Sequence, residues 1–153
     1  MNSKITCIFV SQNNNEMTQE FVPYRQALAL KELGFDQPCI CGYSKITRNL
    51  DTYSGFLVTK DSFTVDAPTL SQAFRFFREK YNLRHNIGDF INDETGIEWD
   101  YEIAVIGTDL DEGGNYKPLV EYSTNDENRK FKTYEEAELS CLIKLIEIVK
   151  EKI

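Results

Sequence analysis

"TLSQAFRFFREKYNL", Thr69–Leu83, is the stretch whose reading decides the fold. Thr69 and Gln72 stand three apart, as in a capping box, where each side chain satisfies the other residue's backbone N–H. Leu70, Ala73, Phe74, Phe77 and Tyr81 recur at the spacing of one helix face, which predicts a helix opening just after Pro68. Phe76 lies off that stripe, among Arg75, Arg78 and Lys80. It reads either as a second layer of core or as an anchor for a partner, since aromatics with arginine are enriched at binding hot spots.

Upstream, "FVPYRQALALKELGFDQP" (Phe21–Pro38) predicts another helix. Pro23 fits the first turn, where its missing N–H leaves no bond unmade. Tyr24, Ala27, Leu28 and Lys31 share one side. Gly34 suits a left-handed stop, and Phe35 can fold back on Leu30 as in a Schellman ending. Strands are expected at "KITCIFV" (Lys4–Val10), "CICGYS" (Cys39–Ser44) and "FLVTKDSFTV" (Phe56–Val65), from their β-branched and aromatic content.

Downstream, "GDFINDETG" (Gly88–Gly96) reads as a loop. "EWDYEIAVIG" (Glu98–Gly107) reads as a strand, with Tyr101, Ile103 and Val105 facing one way. "PLVEYST" (Pro118–Thr124) then pairs back across a glycine-bearing turn. Thr133 and Glu136 open a last helix running to about Lys152. Its apolar arc holds Ala137, Cys141, Leu142, Leu145, Ile148 and Val149, widened by Leu139, Ile143 and Ile146. So wide an arc suits a helix lying across a sheet, and accommodates a second contact such as a homo-oligomer interface. The elements do not alternate in βαβ units. The expectation is therefore a single α+β domain over 1–153, with three helices packed on a small, largely antiparallel sheet.

The 153 residues carry a net charge of −8, which argues against general nucleic-acid binding, a role that needs a basic footprint on phosphates. Basic proteins, cations and small molecules stay open as partners. The charge is uneven: Arg75, Arg78, Lys80 and Arg84 cluster, whereas Asp89–Glu112 holds nine carboxylates and no Lys or Arg. No apolar run approaches the roughly 20 residues of a membrane span, and the opening residues lack a signal-peptide pattern. A cytoplasmic chain with no membrane partner and reduced cysteines is expected.

Cys39 and Cys41 would share one side of an extended segment, but C-x-C is not the C-x-x-C spacing of zinc knuckles or redox motifs. Cys7 and Cys141 lie on apolar faces and read as small hydrophobes, so no metal site is expected. "DLDEGGN" (Asp109–Asn115) opens like a calcium loop, then places Gly113 at a ligand position and Val120 where the closing glutamate belongs. It reads as a hairpin turn. No nucleophile or phosphate-loop motif appears. The one histidine, His85, reads as a surface residue, and Glu138 as a carboxylate on the rim of the last helix.

Three segments together, "YRQALALKELGFDQPC", "APTLSQAFRFFREKYNL" and "TYEEAELSCLIKLIEIVK", resemble a group of small proteins encoded by bacteriophages and prophages, especially of gut bacteria. The likeness covers about half of the chain, in the same order. That family carries no assigned function, so the resemblance implies a mobile-element origin and the bacterial host cytoplasm, and brings no cofactor and no active-site residues. The leading expectation is a non-enzymatic accessory protein that binds a host or phage protein or a small molecule. Candidate partner-binding residues are Arg75, Phe76 and Arg78 on the basic side, and Asp109, Asp111 and Glu112 on the acidic side. Two alternatives remain: a small enzyme or nucleotide-binding module using carboxylates and arginines around a pocket, and a virion or assembly component.

Overall fold

The computed structural model describes residues 20–52, 63–110, 114, 116–123 and 130–152. The expected strand Lys4–Val10, Cys7, most of the expected strand Phe56–Val65, and the candidate residues Asp111 and Glu112 lie outside them. In chain order the elements are α1 (Tyr24–Glu32), β1 (Cys41–Ser44), β2 (Leu50–Thr52), β3 (Phe63–Ala67), α2 (Leu70–Tyr81), β4 (Leu83–Asn92), β5 (Gly96–Leu110), β6 (Tyr116–Ser123) and α3 (Tyr134–Lys150). The class is α+β, as the sequence implies. The strands, however, form two antiparallel sheets, β2-β1-β3 and β4-β5-β6, rather than one.

The capping box of α2 is complete. Thr69 N–H donates to Gln72 Oε1 at 3.0 Å, and Gln72 N–H donates to Thr69 Oγ1 at 3.2 Å. Asn82 ends the helix in the left-handed region at φ 56°, which asparagine tolerates better than most residues. α1 ends in the expected Schellman motif: Phe35 N–H reaches the Leu30 carbonyl and Gly34 N–H the Lys31 carbonyl, at 2.9 and 3.0 Å. Its buried face differs from the expected one. Ala27, Leu30 and Leu33 point inward while Lys31 is exposed, because the helix turns its long aliphatic side chains toward the core.

Two side chains of α2 close the end of α1. Lys80 Nζ and Tyr81 Oη both donate to the Leu33 carbonyl, at 2.8 and 3.0 Å, meeting a helix C-terminus whose carbonyls lack intrahelical partners. Gly34 is favoured here chiefly by its backbone, and a side chain on it would also displace the flexible end of Lys80. The φ of Gly34 is 85°, and a Cβ on it would lie 2.8 Å from Lys80 Nζ.

The expected loop Gly88–Gly96 is instead strand, turn and strand. Ten residue pairs, Leu83↔Val105 through Asn92↔Gly96, join β4 to β5 without a register shift. Asp89 shares a face with Ile87 and Ile91 while Phe90 takes the other, so no clean alternation marks the strand, and the ladder overrides the weak β-propensity of Asp89 and Asn92. The turn proper is confined to Asp93–Thr95. There Asn92 Oδ1 accepts the N–H groups of Glu94 and Thr95, a local side-chain turn.

α3 lies across the second sheet and also touches α1 and α2. It buries Ala137, Cys141, Leu142, Leu145, Ile146, Ile148 and Val149, so most of its wide arc is absorbed within the chain. Thr133 Oγ1 caps Glu136 N–H at 3.2 Å, whereas the Glu136 carboxylate takes Lys132 N–H rather than that of Thr133. Buried residues from all three helices and both sheets form one continuous cluster. No helix among the described residues is long and apolar enough to cross a membrane.

Candidate functional site

Phe76 is 5% exposed. It packs edge-on against Phe35 and Tyr81 at centroid distances of 5.4 and 5.6 Å, with Lys80 Nζ 5.2 Å from its ring. This corrects its candidacy as a partner anchor: the residue that lies off the α2 stripe fills the seam between α2 and the end of α1. Arg75 and Arg78 stay exposed on α2. Asp109 lies near the far end of β5, where Leu110 pairs with Tyr116 of β6. Asp109 therefore sits on β5 and the basic candidates on α2.

His85, expected at the surface, is half-buried. It stands on β4 opposite Ile103 and stacks on Phe74 of α2, with centroids 3.7 Å apart and planes at 15°. Burial lowers its pKa, and the nearby Arg78 guanidinium lowers it further. Cys41 is buried at the start of β1, Ile40 beside it is exposed, and Cys39 is half-buried. Burial, then the Glu138 carboxylate, pushes the Cys141 thiol up to about 12, so it stays protonated and inert. Among the described residues no three of His, Cys, Asp or Glu converge as a metal site would need.

The β4–β5 hairpin has two distinct faces. Leu83, His85, Ile87, Asp89 and Ile91 share one with Val105, Ile103, Tyr101, Trp99 and Ile97. At one end of that face Leu83 and Ile103 are buried beneath the helices. The helical cover reaches Trp99, which meets Tyr134 at the start of α3 edge-on at 5.3 Å. Phe131 pairs with Trp99 through two backbone bonds of 2.9 Å and stacks over Tyr101. Beyond Trp99 the face is bare. Ile91 and Ile97, directly opposed across the strands, are 80% and 60% exposed.

The other face carries Glu98, Asp100 and Glu102 along β5. Lys130 Nζ sits 3.7 Å from Glu98 Oε2, an ion pair too long to be a hydrogen bond, and 4.9 Å from the Phe90 ring. Glu98 Oε1 accepts from Thr95 Oγ1. This face is thus partly neutralised by its own lysine.

Between the starts of α2 and α3 lies an open cleft of about 490 Å³, lined by Glu20, Thr69, Leu70, Ser71, Tyr134, Glu135 and Glu138. The Glu20 carbonyl accepts Leu70 N–H at 2.9 Å, which fixes this segment at the N-terminus of α2. Burial, and then Glu135, pushes the Glu138 carboxyl above its usual range, and a hydrogen bond with Tyr134 partly offsets the shift. A second cleft, about 400 Å³, runs between α3 and Phe131 and is lined by Lys130, Lys144, Ile143 and Glu147 among others. Neither cleft includes Arg75, Arg78 or Arg84.

Sequence reasoning missed the isoleucine pair because it placed Ile91 in a loop. Leu83, Ile87 and Ile91 recur every fourth residue, a spacing that a strand and a helix share, so it did not single out a strand. The Tyr134–Glu138 pair was legible, since residues four apart meet on a helix. No protein-family model matches the chain, and comparison with curated proteins and with solved structures finds no match either.

Proposed function

We propose that the chain is a non-enzymatic binding protein of phage or prophage origin, which holds a protein partner at the free end of the β4–β5 hairpin. The origin rests on the three family-like segments. The binding reading rests on one observation: Ile91 and Ile97 oppose each other on a well-paired ladder and are left in water. An apolar cross-strand pair on a rigid hairpin, contiguous with the half-buried Trp99, has the composition of an interface centre. The alternative of a small enzyme or nucleotide-binding module is less well supported, because neither cleft brings an arginine to its carboxylates.

The test is photocrosslinking in a bacterial host, with a photoreactive residue at position 97 and, as control, at the exposed position 46. A discrete protein adduct is expected at 97 only, and it should vanish when Ile91→Ser is added. Equal adducts at both positions, or an adduct indifferent to Ile91→Ser, would sink the reading.

A further inference from the structure

The bare end of the hairpin leads through Trp99 to Tyr134, which lines the carboxylate-bearing cleft. Ile97 and Trp99 lie two apart on one face of β5, Ile91 stands opposite Ile97, and Trp99 packs on Tyr134. Together they make an apolar strip from the hairpin end to the first turn of α3. Its borders are acidic. Asp89 stands opposite Trp99 on the same face and is exposed; Asp93 and Glu94 occupy the turn; Glu135 and Glu138 flank Tyr134. Of the two lysines flanking Phe131, Lys130 is held on the opposite face over Phe90, and Lys132 is exposed just before α3.

We propose that this strip receives a cationic amphipathic segment of a protein partner, whose apolar side chains cover Ile91, Ile97 and Trp99 while its Lys or Arg side chains meet the acidic border. This deepens the docking reading above and rests on it. Charge selects the occupant. An acidic border attracts cations and repels a second copy of a chain that itself carries −8, since like charges brought together at an interface oppose association. The Glu138 carboxyl is raised by burial first and by the neighbouring Glu135 carboxylate second. A bound lysine or arginine would relieve the repulsion between the two.

Trp99 is the only tryptophan of the chain, so its fluorescence reports on the strip itself. The probe is a synthetic amphipathic Leu/Lys peptide, with versions carrying Gln or Glu in place of Lys. The cationic peptide should shift and saturate Trp99 emission, and bind at least ~10-fold more tightly than either control, with affinity falling as salt rises. Ile91→Ser with Ile97→Ser should weaken binding at least ~10-fold, the loss expected of central apolar contacts. Asp89→Asn with Glu135→Gln should weaken it and flatten its salt dependence. Glu79→Gln with Glu151→Gln removes the same charge elsewhere and should leave binding unchanged. Circular dichroism and thermal unfolding confirm that each variant folds.

Equal binding of the cationic and Gln peptides would overturn the charge selection. So would an equal loss from the remote charge pair, which would mean attraction to net charge alone. If sedimentation instead shows self-association that Ile91→Ser with Ile97→Ser abolishes, the occupant is a second copy. That outcome overturns the cationic partner and leaves the hairpin end as a docking surface. Failure of the crosslinking experiment overturns both.

Discussion

The two ends of one face of the β4–β5 hairpin differ in what covers them. At Leu83 and Ile103 the sheet lies under α2 and α3, and both side chains are buried. Eight residues along β4, at Ile91, and six back along β5, at Ile97, the ladder is as regular and the side chains as apolar, yet nothing among the described residues covers them. Strand pairing is therefore independent of burial here: backbone bonds and register run on after the helical layer has stopped. Apolar residues maintained beyond their cover are what a docking surface needs, whereas core residues need only the cover.

The sharpest way to break this comparison is truncation at each end. Ile103→Ala should destabilise the chain by about 2–4 kcal/mol, from lost burial and a residual cavity. Ile97→Ala should change stability by no more than about 0.5 kcal/mol, as at most exposed sites. Denaturant unfolding reads both, and equal losses would mean that the hairpin end is packed after all.

The closed seam between α1 and α2 sharpens the contrast next. Gly34→Ala should cost about 1–2 kcal/mol, because alanine is strained at positive φ and its Cβ meets Lys80 Nζ. Adding Lys80→Met should recover the steric part but not the backbone part, a separation that a double-mutant cycle measures. A full recovery would show that the backbone contributes nothing.

The helix caps come next. Thr69→Ala removes the half of the capping box that Thr69 Oγ1 supplies, leaving the residue-69 N–H bonded to Gln72 Oε1, and should cost about 1 kcal/mol. Thr133→Ala loses the same kind of bond at an exposed helix start, whereas that at Thr69 is half-buried, and should cost about half as much by thermal unfolding. The smallest effect is a pH dependence at the covered end. The folded-state pKa of His85 is lowered, so its contribution is fully present above its unfolded value of 6.5 and is lost as pH falls through the folded value. His85→Phe should flatten the stability profile below pH 6.5. Glu138 acts in the opposite sense: its raised pKa gives a contribution present below 4.5 and lost as pH rises through the folded value, so Glu138→Gln tells the two apart.

Much of this was legible in the residues. The capping box at Thr69 and the Schellman ending at Gly34 are local chemistry, and both formed as the spacing implied. The α+β class was legible for the same reason. β4 was not, because Asn86, Asp89 and Asn92 are weak strand formers and only the ten-pair ladder with β5 overrides them. Phe76 was ambiguous for a different reason. Helical phase puts it off the main stripe, and whether that side meets water or Phe35 depends on where α1 ends in space.

By itself the sequence determined which segments become helices, where those helices begin and end, and which residues are apolar. Caps, turns and periodicity act within a few residues and need no distant partner. Only the tertiary structure decided which apolar residues are covered. Ile103 and Ile97 have the same side chain, the same strand and the same face, and they part ways solely because α3 begins at Tyr134, beside Trp99 and short of the hairpin end. Burial is set by the packing of whole elements, and its absence at Ile91 and Ile97 is the feature from which a function can be read.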